Sequence, residues 1–127
     1  MGKVISGEIE KLSIFGKDWP TKDGTCVRDY IHVMDLSEAH FSALQFLKKN
    51  PTQFKSINIG TGKGYTVLEI VEKYSKLNNV EIPYEFTQRR RGDAPSLVAD
   101  NTLALELLNW SPKKTIDDCC IDSFRFL

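Results

Sequence analysis

Long apolar runs, a bias of charge and a paired set of cysteines are all missing from this sequence, and each absence excludes a class of protein. No stretch reaches the ~20 consecutive apolar residues that a membrane-spanning helix needs, and the start, MGKVISGEIEKL, holds no long apolar segment of a signal peptide. The 17 basic and 17 acidic side chains cancel, which removes any overall attraction to nucleic acid or to an anionic membrane. The three cysteines, Cys26, Cys119 and Cys120, are odd in number, two are adjacent, and none has a metal-ligand spacing. His32 and His40 have no Cys or carboxylate pattern that would complete a ligand set. These absences predict a soluble, cytoplasmic protein with reduced thiols, no metal, and no nucleic-acid or membrane partner. No Ser-His-Asp or Cys-His arrangement and no assignable pair of acid/base carboxylates is visible.

What is present is ordinary globular material. The 127 residues are 41% hydrophobic and 27% charged, one domain's worth, able to bury roughly two-thirds of the surface the unfolded chain exposes. The chain opens on a short charged lead and closes in SFRFL directly after a helical pattern, so it reads as a piece of something longer.

The most specific stretch runs from Leu12 to Leu36, where turn formers (Gly16, Pro20, Asp23, Gly24), aromatics and an arginine lie between two short apolar runs. Such a segment should wrap a ligand. Alternation from Val27 to Val33 predicts an extended segment with Arg28, Tyr30 and His32 on one face. Asp35 followed by Glu38 reads as a capping box opening a helix through Leu36, Ala39, Ala43, Leu44 and Leu47, stopped at Asn50 and Pro51. Ser56 to Ile59 reads as a strand, and Thr66 with Glu69 as a second capping box, opening a helix to about Leu77. Glu81 to Phe86 reads as an edge strand broken by Pro83. Asp100 is then expected to cap a helix ending near Asn109, and a last helix to start at Thr115 with Ile116, Cys119, Cys120 and Phe124 inward. GEIEKL near the start reads as a helical tail. The class is α/β or α+β, a small sheet packed with several helices.

Two segments invite an anion. In INIGTGKGYTV, Gly60, Gly62 and Gly64 lie between a strand and a capped helix, as in a phosphate-binding turn, but the dinucleotide fingerprint needs glycine where Tyr65 stands. A tight strand-to-helix turn is the better account. In QRRRGDAPSL, three adjacent guanidiniums repel one another unless an anion sits beside them, and their planar forks suit a diphosphate; a solvated basic loop is the alternative.

Together LSIFGKDWPTKDGTCVRDYIHVMDLSEAH, INIGTGKGYTVLEIV, RRRGDAPSLVAD and LNW resemble, in order and over residues 4 to 126, the C-terminal part of the UDP-glucose 4-epimerase family of extended short-chain dehydrogenase/reductases. The resemblance implies one domain, residues 1–127, that binds a UDP-sugar, with an N-terminal NAD-binding Rossmann domain absent from the chain. It implies that Ser13 and Phe15 line the uracil pocket, that Arg28 and Arg90 hold the diphosphate beside Tyr30, and that Asp93 accepts the ribose hydroxyls. Leu97 stands where the family often has tyrosine, or a smaller residue in members that take N-acetylated sugars. No catalytic residue is implied here, because the Tyr-x-x-x-Lys pair belongs to the other domain, and Arg91 is given no role. The implied chemistry is transient oxidation at C4 by NAD, rotation of the 4-keto sugar and hydride return, by an enzyme that dimerises through the absent domain. Alternatives are a 4-epimerase for UDP-N-acetylhexosamine or UDP-pentose, or a non-catalytic module that binds nucleoside diphosphates.

Overall fold

The computed structural model describes residues 1–52 and 54–127. Ten elements follow in order: α1 (Gly2–Ile5), β1 (Leu12–Phe15), β2 (Val27–Asp29), α2 (Val33–Lys49), β3 (Gly64–Thr66), α3 (Val67–Asn78), β4 (Tyr84–Thr87), β5 (Ser96–Leu97), α4 (Thr102–Leu108) and α5 (Ile116–Arg125). The expected α/β class holds, but the strands divide between two small sheets. One pairs β1 with β4 in parallel, and the other has the order β3-β2-β5, antiparallel on one side of β2 and parallel on the other.

Helix α3 forms where its apolar period and its caps agree. The Thr66 hydroxyl accepts from the Glu69 amide while the Glu69 carboxylate reaches back to the Thr66 amide, and Asn79 ends the helix in the left-handed region at φ 51°. Helix α5 repeats the device with Thr115 and Asp118. Their facing sides close over β1: Ile14, Ile70, Val71, Tyr74, Ile82, Ile116 and Cys120 form the main core. As expected from the sequence, Cys119 and Phe124 pack against it. A second, smaller core of Ala39, Ala104, Leu108 and Trp110 joins α2 to α4. All three thiols are free, and burial, helped by the neighbouring Cys120, pushes the Cys119 thiol up to about 11, so it stays protonated at neutral pH.

Several boundaries differ from those read in the sequence. Helix α2 begins before Asp35 because the His32 ring caps it, Nδ1 accepting from the Met34 amide at 3.1 Å. Asp35, freed from capping, is buried and accepts from the backbone amides of Lys113 and Lys114 at 3.1 and 2.9 Å. The shared face of Arg28, Tyr30 and His32 is therefore cut short, since β2 ends at Asp29 and His32 has turned toward α2. GEIEKL is not helical: the N-terminal helix is the single turn Gly2–Ile5, stopped before Gly7 at φ +77°. Ser56–Ile59 is not a strand, because no strand among the described residues pairs with it; Ile57 and Ile59 pack on the second core instead. Asp100 accepts from the Thr102 amide at 3.0 Å, but Asn101 occupies the cap position. The basic loop contains β5, which exists because β2 offers a free parallel edge.

Candidate functional site

The alternation of β1 starts the site. Ile14 is driven into the core, only 1% exposed, so Ser13 and Phe15 on either side of it face the other way. Parallel pairing runs from Leu12 with Tyr84 to Phe15 with Thr87, and the Gly16 amide continues it onto the Thr87 carbonyl at 2.9 Å. That register delivers the arginine run to Phe15.

The three arginines then separate. Arg89 lays its guanidinium 4.0 Å from the Trp19 ring centroid and grips Asp18 through both its carboxylate, at 2.8 Å, and its carbonyl, at 2.7 Å. The hydrogen bond from Arg89 holds the Asp18 carboxyl below its ordinary range. Gly16, at φ +85°, makes this possible: a Cβ there would lie 2.4 Å from the Trp19 indole nitrogen. Arg90 turns the opposite way, its guanidinium 4.3 Å from the Phe15 ring centroid and its Nε donating to Asp93 at 3.3 Å. Arg91 is exposed and makes no ion pair among the described residues.

Asp93 joins the two halves of the wall. Its other oxygen lies 3.6 Å from the Arg28 guanidinium, which is fixed by donating to the Val27 and Ala94 carbonyls at 2.7 and 2.9 Å. Gly92, at φ +89°, closes the turn that brings Asp93 back under Arg90. Leu97 stands beside Arg28 in the β2–β5 register and is 57% exposed.

The structure thus connects Phe15, Arg90, Asp93 and Arg28 in one chain of contacts, with Leu97 alongside. Ser13 shares Phe15's side of β1 but makes no side-chain hydrogen bond among the described residues. Tyr30 stands apart: it packs on the main core and lines a separate cleft of about 240 Å³ with Thr61, Lys63, Tyr65 and residues 112–116. Burial pushes its phenol up, and the positive charge of Arg28 opposes that.

Two contributors escaped the sequence reading. The Arg89–Trp19–Asp18 group holds the loop under the wall, and the two-residue period that splits Arg89 from Arg90 was the available signal. Asp29, on the opposite side of β2 from Arg28, inserts its carboxylate into the glycine-rich turn, accepting from the amides of Thr61 and Gly62 at 2.9 and 3.0 Å. An acidic residue on the otherwise apolar side of a strand pointed to it. A dinucleotide phosphate would need the amides that Asp29 already holds, so this turn does not fit NAD. Among the described residues, no three His, Cys, Asp or Glu side chains converge as metal ligands. No helix there is long and apolar enough to cross a membrane.

The model of the family described as GDP-mannose 4,6 dehydratase matches residues 1–122. The chain belongs to this family. Within it, a relative from Bacillus subtilis (strain 168) named UDP-glucose 4-epimerase is 46% identical over 126 residues, covering 99% of this chain and 37% of the relative. A solved UDP-glucose-4-epimerase from Stenotrophomonas maltophila, with bound NAD and formylated UDP-arabinopyranose, superposes at a TM-score of 0.91 and 40% identity, over 98% of this chain and 37% of that one. The Bifidobacterium longum UDP-glucose 4-epimerase, in complex with NAD+ and UDP, gives a TM-score of 0.86 at 38% identity, over 98% of this chain and 36% of that one. The resemblance to UDP-glucose 4-epimerases is borne out. The chain spans little more than a third of the length of these members.

Proposed function

We propose that this chain is the nucleotide-holding, C-terminal part of an NAD-dependent UDP-glucose 4-epimerase, a single domain that grips UDP while the sugar reacts elsewhere in the parent protein. The observation that carries the reading is the unbroken series Phe15, Arg90, Asp93 and Arg28 on one wall. It offers an aromatic face and Ser13 for uracil, a carboxylate acceptor for a ribose diol, and two guanidinium forks for a diphosphate. Tyr30 follows two residues after Arg28, and its ring lines the neighbouring cleft instead of this wall.

In the parent, NAD supplies reversible oxidation at the sugar's C4. The residues of this chain bind and orient: anchoring UDP retains the oxidised sugar while it rotates, binding energy from remote groups used for positioning. Asp93 sits between Arg28 and Arg90 in the ligand-free wall, so a diphosphate entering there exchanges one carboxylate for two phosphates against the same guanidiniums.

Calorimetric titration of UDP into the chain tests the reading, with weak binding expected that Arg28→Ala and Arg90→Ala each weaken further. The isolated chain is expected to leave UDP-glucose and UDP-galactose unconverted, because on this reading the rest of the parent protein holds the hydride acceptor. Interconversion by the chain alone overturns the division of labour. A second reading, a 4-epimerase for UDP-pentoses or UDP-N-acetylhexosamines, draws on the exposed Leu97, which leaves room beside Arg28. Assay of the parent enzyme, a homodimer through its other domain on this reading, with plain and N-acetylated UDP-sugars separates the two.

A further inference from the structure

Asp29 is adjacent to Arg28, yet its hydrogen bonds go to Thr61, Gly62 and Ala99 and to none of Phe15, Arg90, Asp93 or Arg28. Its carboxylate is instead the most heavily bonded among the described residues. Oδ1 accepts from the Thr61 amide at 2.9 Å and the Thr61 hydroxyl at 2.5 Å. Oδ2 accepts from the amides of Thr61, Gly62 and Ala99 at 3.0, 3.0 and 3.3 Å. Successive amides converging on one anion form the kind of concavity that elsewhere receives a phosphate. Here the anion comes from the chain itself.

The fit is close on every side. A Cβ at Gly60 would lie 2.6 Å from Asp29 Oδ2 and 2.5 Å from the Ala99 Cβ, so only glycine lets the turn close over the carboxylate. The Asn101 side chain, its Nδ2 donating to the Gly60 carbonyl at 3.2 Å, ties the turn to the start of α4. Three separate segments therefore meet at one side chain: the end of β2, the glycine-rich turn, and residues 99–101.

The last of these matters for the wall. Residues 93–99 carry Asp93 and Leu97; β5 holds them to β2 by two residue pairs, and the Val27 amide on the Pro95 carbonyl at 2.8 Å and the Arg28 guanidinium on the Ala94 carbonyl at 2.9 Å tie the Asp93 side. Both β5 residues are exposed, so no buried face pins the register of this pairing. The Asp29 to Ala99 bond adds a fixed point two residues beyond Leu97. A slip of one residue there would carry Leu97 to the other face of the sheet and draw Asp93 away from Arg28.

We propose that Asp29 is a positioning residue of the nucleotide site: seated in the amide cradle of the glycine-rich turn, it sets the register of residues 93–99 against β2 and so places Asp93 and Leu97 relative to Arg28. The proposal rests on the nucleotide reading above for its effect on UDP, but not for its effect on the ligand-free wall.

The test is chemical rescue. Asp29→Ala empties the cradle, and formate, a free carboxylate of the right size, is titrated back. UDP affinity of the variant is expected to fall about tenfold, within the range by which residues away from a ligand alter its binding, and to recover with formate, to which the unsubstituted chain is indifferent. Unchanged UDP affinity in the variant, or formate that restores thermal stability without restoring affinity, overturns the proposal. Asp29→Asn, which keeps shape and one acceptor oxygen, serves if Asp29→Ala does not fold, with a smaller loss expected. If the unsubstituted chain binds no UDP, the nucleotide reading fails by itself. The register claim is then decided by the amide resonances of Asp93, Ala94 and Ser96 to Ala99 in ligand-free protein, displaced in the variant and returned by formate; resonances that stay in place overturn it.

Discussion

Helices α3 and α2 are both amphipathic, and the chain closes over them very differently. In α3, Ile70, Val71 and Tyr74 are 3–4% exposed, covered by α5 and β1. In the longer α2, only Asp35 and Ala39 are buried, and Phe41 and Leu44 remain 64% and 59% exposed. The ends differ in the same sense. Reciprocal side-chain and backbone bonds cap α3, whereas an imidazole caps α2. A period of apolar residues states that a helix has a face, and the tertiary partner decides whether that face becomes core. The wall that carries Arg90 and Phe15 stands on the well-closed half.

The contrast makes unequal demands on substitutions. Tyr74→Ala removes a ring packed edge-on to Phe124 at 6.3 Å in the main core and is expected to cost about 3–5 kcal/mol in urea unfolding. A loss below 1 kcal/mol would mean that the α3–α5 half is no better closed than the other. Arg90→Ala is expected to weaken UDP binding by roughly 1.5–3 kcal/mol by calorimetry while Arg91→Ala leaves it unchanged. Equal losses would show that charge density, and not the Phe15–Asp93 seat, does the holding. Asp35→Ala strands the Lys113 and Lys114 amides and should cost about 1–3 kcal/mol in the same unfolding measurement, the larger sensitivity of the α2 half. Phe41→Ala should stay within about 0.5 kcal/mol, since the ring already lies in water. A greater loss by that route would place a partner against α2 in solution.

The same contrast explains what could be read before any coordinates. The two boxes at Thr66–Glu69 and Thr115–Asp118 are local, and helix ends of that kind are spelled within four residues. Asp35–Glu38 has the same spelling and a different outcome, because Lys113 and Lys114, 78 and 79 positions away, claim the carboxylate. The strands β3 and β5 are three and two residues long and take their identity from β2, so no period within them can announce them. At the site, the residue types suited to a diphosphate were legible as a set. Their division was not: Arg89 belongs to Trp19 and Asp18, Arg90 to Phe15 and Asp93, and only the β1–β4 register decides which is which.

The chain has two tryptophans, and the folds of its two halves each contain one. Trp19, 9% exposed, lies beneath the Arg89 guanidinium beside the wall, while Trp110, 4% exposed, donates to the Asp35 carbonyl at 3.1 Å under α2. The molecule therefore carries its own pair of optical reporters. With Trp110 replaced by phenylalanine, emission follows the arginine loop and its response to nucleotide; with Trp19 replaced, it follows the seam between α2 and α4.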